Sequence, residues 1–388
     1  MKIVYIADIG IEGGATKSLI ELVSTMKNEH GVVPIVLTSG NGRLNQSLTE
    51  LGIENYAVGH GAFLQGAPDA AWKKPIKWLL YAAYYYSHYY SSIQKALKVV
   101  DWNSVDLIHT NVARDDLGME ISKRTGVPNI CHIREFAELD FNCWTYRPNY
   151  VKYLAENTDG FIAISEAVKQ YWVKKGLSGD RVQVVYNGVD YQKIIPANHM
   201  NWKTNGRFKM VIVGGVIPNK GQQQAIEAIC MLPEGVRQHI TLDVIGGITE
   251  TYKAKLQEPL KKLGIEKQVR FLGLCNDVYD RLKDYHVGLM CSKAEGFGRV
   301  TVEYMHAGLV VIASNCGANP EIIEDNVSGL LYSREDVSQL SERIEYLFHN
   351  RDIAVKLAEN GQKTAKQMFT KEINSKKVFD VYSSIVGT

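Results

Sequence analysis

Nothing in this sequence pairs its cysteines. Six are present, Cys131, Cys143, Cys230, Cys275, Cys291 and Cys316. None stands in a C-x-x-C pair or at finger spacing from histidine, which excludes a metal finger and predicts free thiols in a reducing compartment. Long apolar runs are missing too. No segment reaches the ~20 consecutive apolar residues that span a bilayer. Residues 1–9 are interrupted by Asp8 and followed by a polar, Gly-rich turn rather than a small-residue cleavage site, so they read as a first strand and not as an export signal. The expected location is the cytoplasm. An excess of one charge is absent as well: 44 basic against 42 acidic residues leave a net charge of +2, which argues against a broad grip on nucleic acid. Neither the G-x-G-x-x-G dinucleotide fingerprint nor a P-loop occurs, and this disfavours a nicotinamide oxidoreductase. Short repeats and low-complexity tracts are lacking, apart from one tyrosine-rich stretch.

What is present is ordinary in bulk and patterned in detail. A hydrophobic content of 45% and a charged content of 22% over 388 residues fit a globular chain of two domains. Short apolar runs alternate with amphipathic segments. Residues 2–7 (KIVYIA), 34–37, 106–109, 129–132, 160–164 and 182–185 read as buried strands, and residues 16–27 have helical apolar spacing. This is βαβ patterning, an α/β fold with a parallel sheet. A break follows at 194–206 (IIPANHMNWKTNG), without periodicity. The pattern then restarts, with strands expected at 209–213, 241–245, 269–272, 287–290 and 310–313 and a helix at 222–231. The expected organisation is a Rossmann-like domain at 1–195, a linker at 196–206 and a second Rossmann-like domain at 207–370, the two facing a central cleft.

Three loops have the chemistry to hold phosphate. Gly14 lies in the first strand-to-helix turn, where amides and a helix N-terminus approach an anion; a plain βα turn would look the same. VGGVIPNKG at 213–221 ends in Lys220 at a helix start, where a compact point charge can neutralise a diphosphate, or simply be solvated. AEGFGRVTVEYMHAG at 294–308 is the most specific. Its helix is expected to start near Arg299, so that amides around Phe297, Gly298 and Val300 meet phosphate or sugar oxygens. Glu295 and Glu303 then accept from hydroxyls. Glu303 sits between Val302, Tyr304 and Met305, and a carboxylate in that company needs a partner.

Taken together, the motifs resemble glycosyltransferase family 4, retaining enzymes of GT-B architecture. The resemblance rests on GGA at 13–15, HIRE at 132–135, ISEAV at 164–168, VVYNGVD at 184–190, NKGQ at 219–222, VRFLG at 269–273, EGFGRVTVE at 295–303 and NPEII at 319–323. It implies that Lys220 contacts the donor diphosphate and that Glu303 accepts from the nucleotide ribose. It implies that Glu295, beside the amides of Phe297 and Gly298, reads hydroxyls of the donor sugar, and that Gly14 admits the phosphate. His132 would stand near the reacting centre, making Lys220, Glu295 and His132 the catalytic set. Asn187 and Gly188 match a turn near the end of the first domain, and the helix at 371–388 would return to that domain. One position departs. Where the family often has arginine, this chain has Gly215, so the diphosphate loses a bidentate cation, for which either Arg134 or Arg299 substitutes or backbone amides do more of the work.

The implied reaction moves a sugar from a nucleoside diphosphate, uridine diphosphate by family frequency, to an acceptor hydroxyl on a glycan or lipid-linked carrier, with retention. No metal and no cofactor beyond the nucleotide sugar is expected. Rival readings are a non-catalytic GT-B partner subunit, raised by Gly215, a sugar-nucleotide epimerase and a glycoside hydrolase. A last segment stands apart: IKWLLYAAYYYSHYY at 76–90, flanked by Lys73, Lys74, Lys77, Lys95 and Lys98. It reads either as a helix packed within its domain or in a homo-oligomer, or as a surface helix that brings 73–98 to a membrane on its cytoplasmic face.

Overall fold

A computed structural model describes residues 1–8, 13–66, 73–137, 143–145, 147, 149–199, 202 and 206–387. They divide into two compact units, Met1–Gly188 with Lys371–Thr388, and Val189–Thr370.

The first unit holds β1 (Lys2–Ala7), β2 (Val33–Thr38), β3 (Glu54–Ala57), β4 (Leu64–Gly66), β5 (Leu107–Thr110), β6 (Asn129–Ile133), β7 (Cys143–Thr145), β8 (Gly160–Ala163) and β9 (Val182–Val184). Seven of these form one sheet in the order β3-β2-β1-β5-β6-β8-β9, every neighbour parallel. β4 and β7 form a separate antiparallel pair. Parallel strands covered on both faces must be apolar on both, and β1 shows why KIVYIA qualifies. Ile3 and Tyr5 pack on one side with Leu19, Leu22 and Val23 of the helix Gly14–His30 and with Val378, Val381 and Tyr382 of the helix Lys371–Val386. Val4 and Ile6 pack on the other with Ile93, Ala96 and Ile121. Side chains alternate along a strand, so one run of six residues serves two cores.

The second unit repeats the plan with β10 (Phe208–Val213), β11 (Ile240–Ile245), β12 (Val269–Gly273), β13 (Val287–Met290), β14 (Val310–Ser314) and β15 (Leu330–Tyr332). They form one parallel sheet in the order β12-β11-β10-β13-β14-β15. Its core gathers Met210, Ile212, Ile226, Ile229, Leu242, Leu289, Ile312 and Leu340, each fully buried side chain stabilising the fold by about 1.5–3 kcal/mol relative to exposure. Part of the stretch expected as a linker is packed here. Ile194 is buried, Trp202 joins this core, and the Ala197 amide donates to the Ala307 carbonyl at 2.8 Å. An indole can carry a segment into a core even where the sequence around it has no period.

Candidate active site

In the second sheet the strand order reverses between β10 and β13, so the loops leaving their carboxyl ends diverge and open a crevice. The loop after β10 closes on a short 3-10 turn, Pro218–Lys220, and then Gly221. Gly221 has φ +73, and a Cβ there would lie 1.9 Å from the Cys291 carbonyl oxygen. Only glycine lets this turn rest on the end of β13. Lys220 is thereby held with its Nζ 3.0 Å from Glu295 Oε2, across the reversal. The lysine side chain is 39% exposed and the carboxylate 14%, so an incoming anion can reach the lysine.

Glu295 Oε1 accepts from the Gly298 amide at 3.2 Å. Gly298, with φ +79, precedes the helix Arg299–His306, a turn that glycine adopts without a steric cost. One turn inside that helix, Glu303 is buried. Its Oε1 accepts from Arg299 Nε at 3.0 Å and from the Tyr279 hydroxyl at 2.8 Å. Burial and the nearby Glu303 charge push the Tyr279 hydroxyl pKa above its ordinary value. The Tyr304 hydroxyl accepts from the Val213 amide at 2.7 Å, tying this helix to the end of β10. Phe297 is buried with its ring edge-on to Phe369, and Val300 is half-buried. Tyr279 carried no signal in the sequence; a single tyrosine in NDVYD looks like any surface residue.

At Gly215 a Cβ would meet nothing within 4 Å. Of the two arginines named as a substitute cation, Arg299 is buried against Glu303 in this unit and Arg134 lies in the first unit.

The first sheet reverses its order between β1 and β5. Arg114 Nη2 donates to Asp8 Oδ2 at 2.9 Å, joining the loops after these strands. Gly14 opens the helix Gly14–His30 behind an extended Gly13. Beside them, buried Arg134 donates through Nε to the Asn111 carbonyl (3.1 Å) and Oδ1 (2.9 Å), and through Nη1 to Asn187 Oδ1 (2.7 Å). Its Nη2 lies 3.2 Å from His132 Nδ1. A guanidinium only donates, so this ring nitrogen accepts and the imidazole proton sits on Nε2. Burial, then the Arg134 charge and His109, hold the His132 pKa well below the usual histidine range. His132, which the resemblance sets near the reacting centre, lies within β6 and is fully buried. Arg134, one residue past the strand, is the member of this motif at the strand's carboxyl end.

Among the described residues no group of three or more His, Cys, Asp or Glu could hold a metal ion, and Cys131, Cys230, Cys275, Cys291 and Cys316 are free thiols.

Known proteins share this plan. Residues 12–193 match the family described as glycosyltransferase family 4, and residues 197–364 match the one described as glycosyl transferases group 1. A Bacillus subtilis (strain 168) protein carrying the name glycosyltransferase EpsD is 27% identical over 306 residues, 74% of this chain and 78% of its own. The N,N'-diacetylbacillosaminyl-diphospho-undecaprenol alpha-1,3-N-acetylgalactosaminyltransferase of Campylobacter jejuni subsp. jejuni serotype O:2 is 22% identical, over 58% of this chain and 60% of its own. Anabaena Alr3699/HepE, solved in complex with UDP and glucose, superimposes with a TM-score of 0.77 at 21% identity, covering 99% of this chain and all of that one. Its fold is GT-B, two parallel α/β units in succession, and with both halves matched in order the chain belongs to glycosyltransferase family 4.

Proposed function

We propose that the chain transfers a glycosyl group from a nucleoside diphosphate sugar, with uridine diphosphate as the first candidate, to an acceptor hydroxyl, with retention at the anomeric carbon. The acceptor is a growing polysaccharide or cell-envelope glycan, held on a lipid carrier at the cytoplasmic face of a membrane. The observation that carries this reading is the 3.0 Å pair of Lys220 and Glu295 across the strand-order reversal, with Glu303 one turn inside the adjoining helix. A solved relative in fold holds UDP and glucose, and a relative in sequence is named for a diphospho-undecaprenol acceptor; both support the substrate classes.

In the reaction the bond from the anomeric carbon to the diphosphate oxygen breaks and a bond to the acceptor oxygen forms. The acceptor proton passes to the departing diphosphate on the same face of the sugar. Negative charge grows on the diphosphate, and Lys220, together with amides near the start of the helix Arg299–His306, is oriented in advance to meet it. Lys220 must exchange the Glu295 carboxylate for phosphate as the donor enters. That exchange frees Glu295 to accept from sugar hydroxyls, while Glu303 accepts from the ribose. No metal enters this scheme.

Gly215 sustains one alternative, a partner subunit that binds donor and transfers nothing. Mass spectrometry over a panel of nucleotide sugars, with and without lipid-linked acceptors, separates the two. A sugar-extended acceptor of unchanged anomeric configuration is the expected product. Donor binding without a product from any pair sinks the transferase reading in favour of the partner subunit.

A further inference from the structure

The tyrosine-rich segment forms a helix, Lys74–Val99, whose two sides have different fates. Ala82, Tyr85, Ile93 and Ala96 are buried. Ile93 and Ala96 join the core beneath β1 and β5, with Tyr89 packed against it. The Tyr85 hydroxyl donates to Asp116, which also receives Arg147. These side chains anchor the helix. Turned away from them, Ile76, Leu79, Leu80, Ala83, Tyr86 and Tyr90 recur at helical spacing over four turns. Ile76 is 57% exposed, Leu79 64%, Leu80 66%, Tyr86 58% and Tyr90 65%. A contiguous apolar stripe of this kind marks an interaction surface rather than the scattered exposed leucines every protein has.

The charge around the stripe selects the partner. Residues 74–99 contain Lys74, Lys77, Lys95 and Lys98 and no aspartate or glutamate, and Lys73 stands just before them. Two copies meeting through this face would set lysine against lysine. An anionic surface complements the whole length of the helix. Two of the stripe residues are tyrosines, whose rings settle where an apolar phase meets water. Among the described residues no helix is long and apolar enough to cross a membrane, so the fitting mode is a helix lying along the surface with its apolar stripe among the acyl chains and its lysines at the headgroups.

We infer that the outward stripe of the helix Lys74–Val99 docks the first unit on an anionic lipid surface. Its test reads binding to lipid and leaves sugar transfer aside, so its failure leaves the reading of the donor site untouched. Vesicles of equal parts phosphatidylglycerol and phosphatidylcholine are sedimented with the full chain at low salt, beside vesicles of phosphatidylcholine alone. The chain is expected to sediment with the mixed vesicles, and raising the salt releases part of it. Leu79→Ser with Leu80→Ser is expected to weaken binding at least about tenfold, and Lys95→Gln with Lys98→Gln to weaken it less. UDP binding and the melting temperature should be unchanged in both, since these side chains are exposed. Ile76→Gln serves the same purpose should the double leucine variant fold poorly. Three results would each overturn the inference: wild-type chain left in the supernatant, binding undiminished in the leucine and Ile76 variants, or a lipid-free dimer that the leucine variant converts to monomer.

Discussion

At the reversal of strand order in the second unit stands Lys220, 39% exposed and paired with the Glu295 carboxylate. Near the corresponding reversal in the first unit stands Arg134, buried, with its guanidinium spread over Asn111, Asn187 and His132. The scaffolds are alike and the cations are not. A half-exposed lysine paired with a carboxylate can trade that partner for a phosphate at small cost, because its charge stays solvated on one side. A buried arginine whose hydrogen bonds are already made cannot trade without leaving buried oxygens unsatisfied. The first arrangement suits capture of an anion that must later leave. The second suits holding the ends of β5, β6 and the turn at Asn187 in one geometry.

The largest effect that could break this contrast is on turnover. Lys220→Ala is expected to lower sugar transfer at least ~10²-fold, the scale of a lost transition-state charge contact, with the melting temperature unchanged; transfer near the wild-type rate would remove Lys220 from the mechanism. Arg134→Met should behave in the opposite way. Thermal or urea unfolding is expected to show a loss of about 1.5–3 kcal/mol, from hydrogen bonds to a charged group, while UDP affinity measured by calorimetry stays as it was. A stable variant that had lost UDP binding would instead place Arg134 in the donor site.

A smaller effect sharpens the division within the second unit. Glu303→Gln is expected to weaken free UDP about tenfold, one hydrogen bond to a charged acceptor. Glu295→Gln should spare UDP and weaken the intact sugar nucleotide. Equal losses on the free nucleotide would dissolve the distinction. Smaller still, Gly215→Arg enters open space and is expected to raise donor affinity a few-fold by restoring a cation, read by the same calorimetry; no gain would show that this loop does not face the diphosphate. The smallest expected change is none at all: exhaustive chelation should leave transfer intact, and rescue of a lost activity by magnesium or manganese would reveal a metal role.

Buried strands were the legible part of the fold. KIVYIA and VGLM were located to the residue, because strands covered on both faces are continuous apolar runs bounded by polar turns. The strand Glu54–Ala57 was not found. It lies at the edge of its sheet with little buried surface, and Glu-Asn-Tyr-Ala has no apolar run to betray it. Three-residue strands such as Leu64–Gly66 and Leu330–Tyr332 are too short for any period. In the site, each loop could be read alone. The contact between Lys220 and Glu295 could not, because 75 residues separate them and only strand order brings them together. Tyr279 was hidden for the same reason. The HIRE motif shows the converse: it was visible in the sequence, but which of its residues lies past the end of β6 depends on where that strand stops, and strand ends are set by tertiary contacts.

The helix Lys371–Val386 contributes Val378, Val381 and Tyr382 to the core around Ile3 and Tyr5, and the Tyr382 hydroxyl lies 2.7 Å from His109 Nδ1. On the ribosome this delays the first unit. Its sheet strands emerge early, but the side chains that close one of its two cores arrive only after the whole of Val189–Thr370 has been synthesised. Domains usually mature in the order they are made. Here the second-made unit can finish first, while the first waits with Ile3, Tyr5 and Ile130 incompletely covered. A nascent chain arrested before residue 371 should therefore be protease-sensitive in its opening half and resistant in its later one.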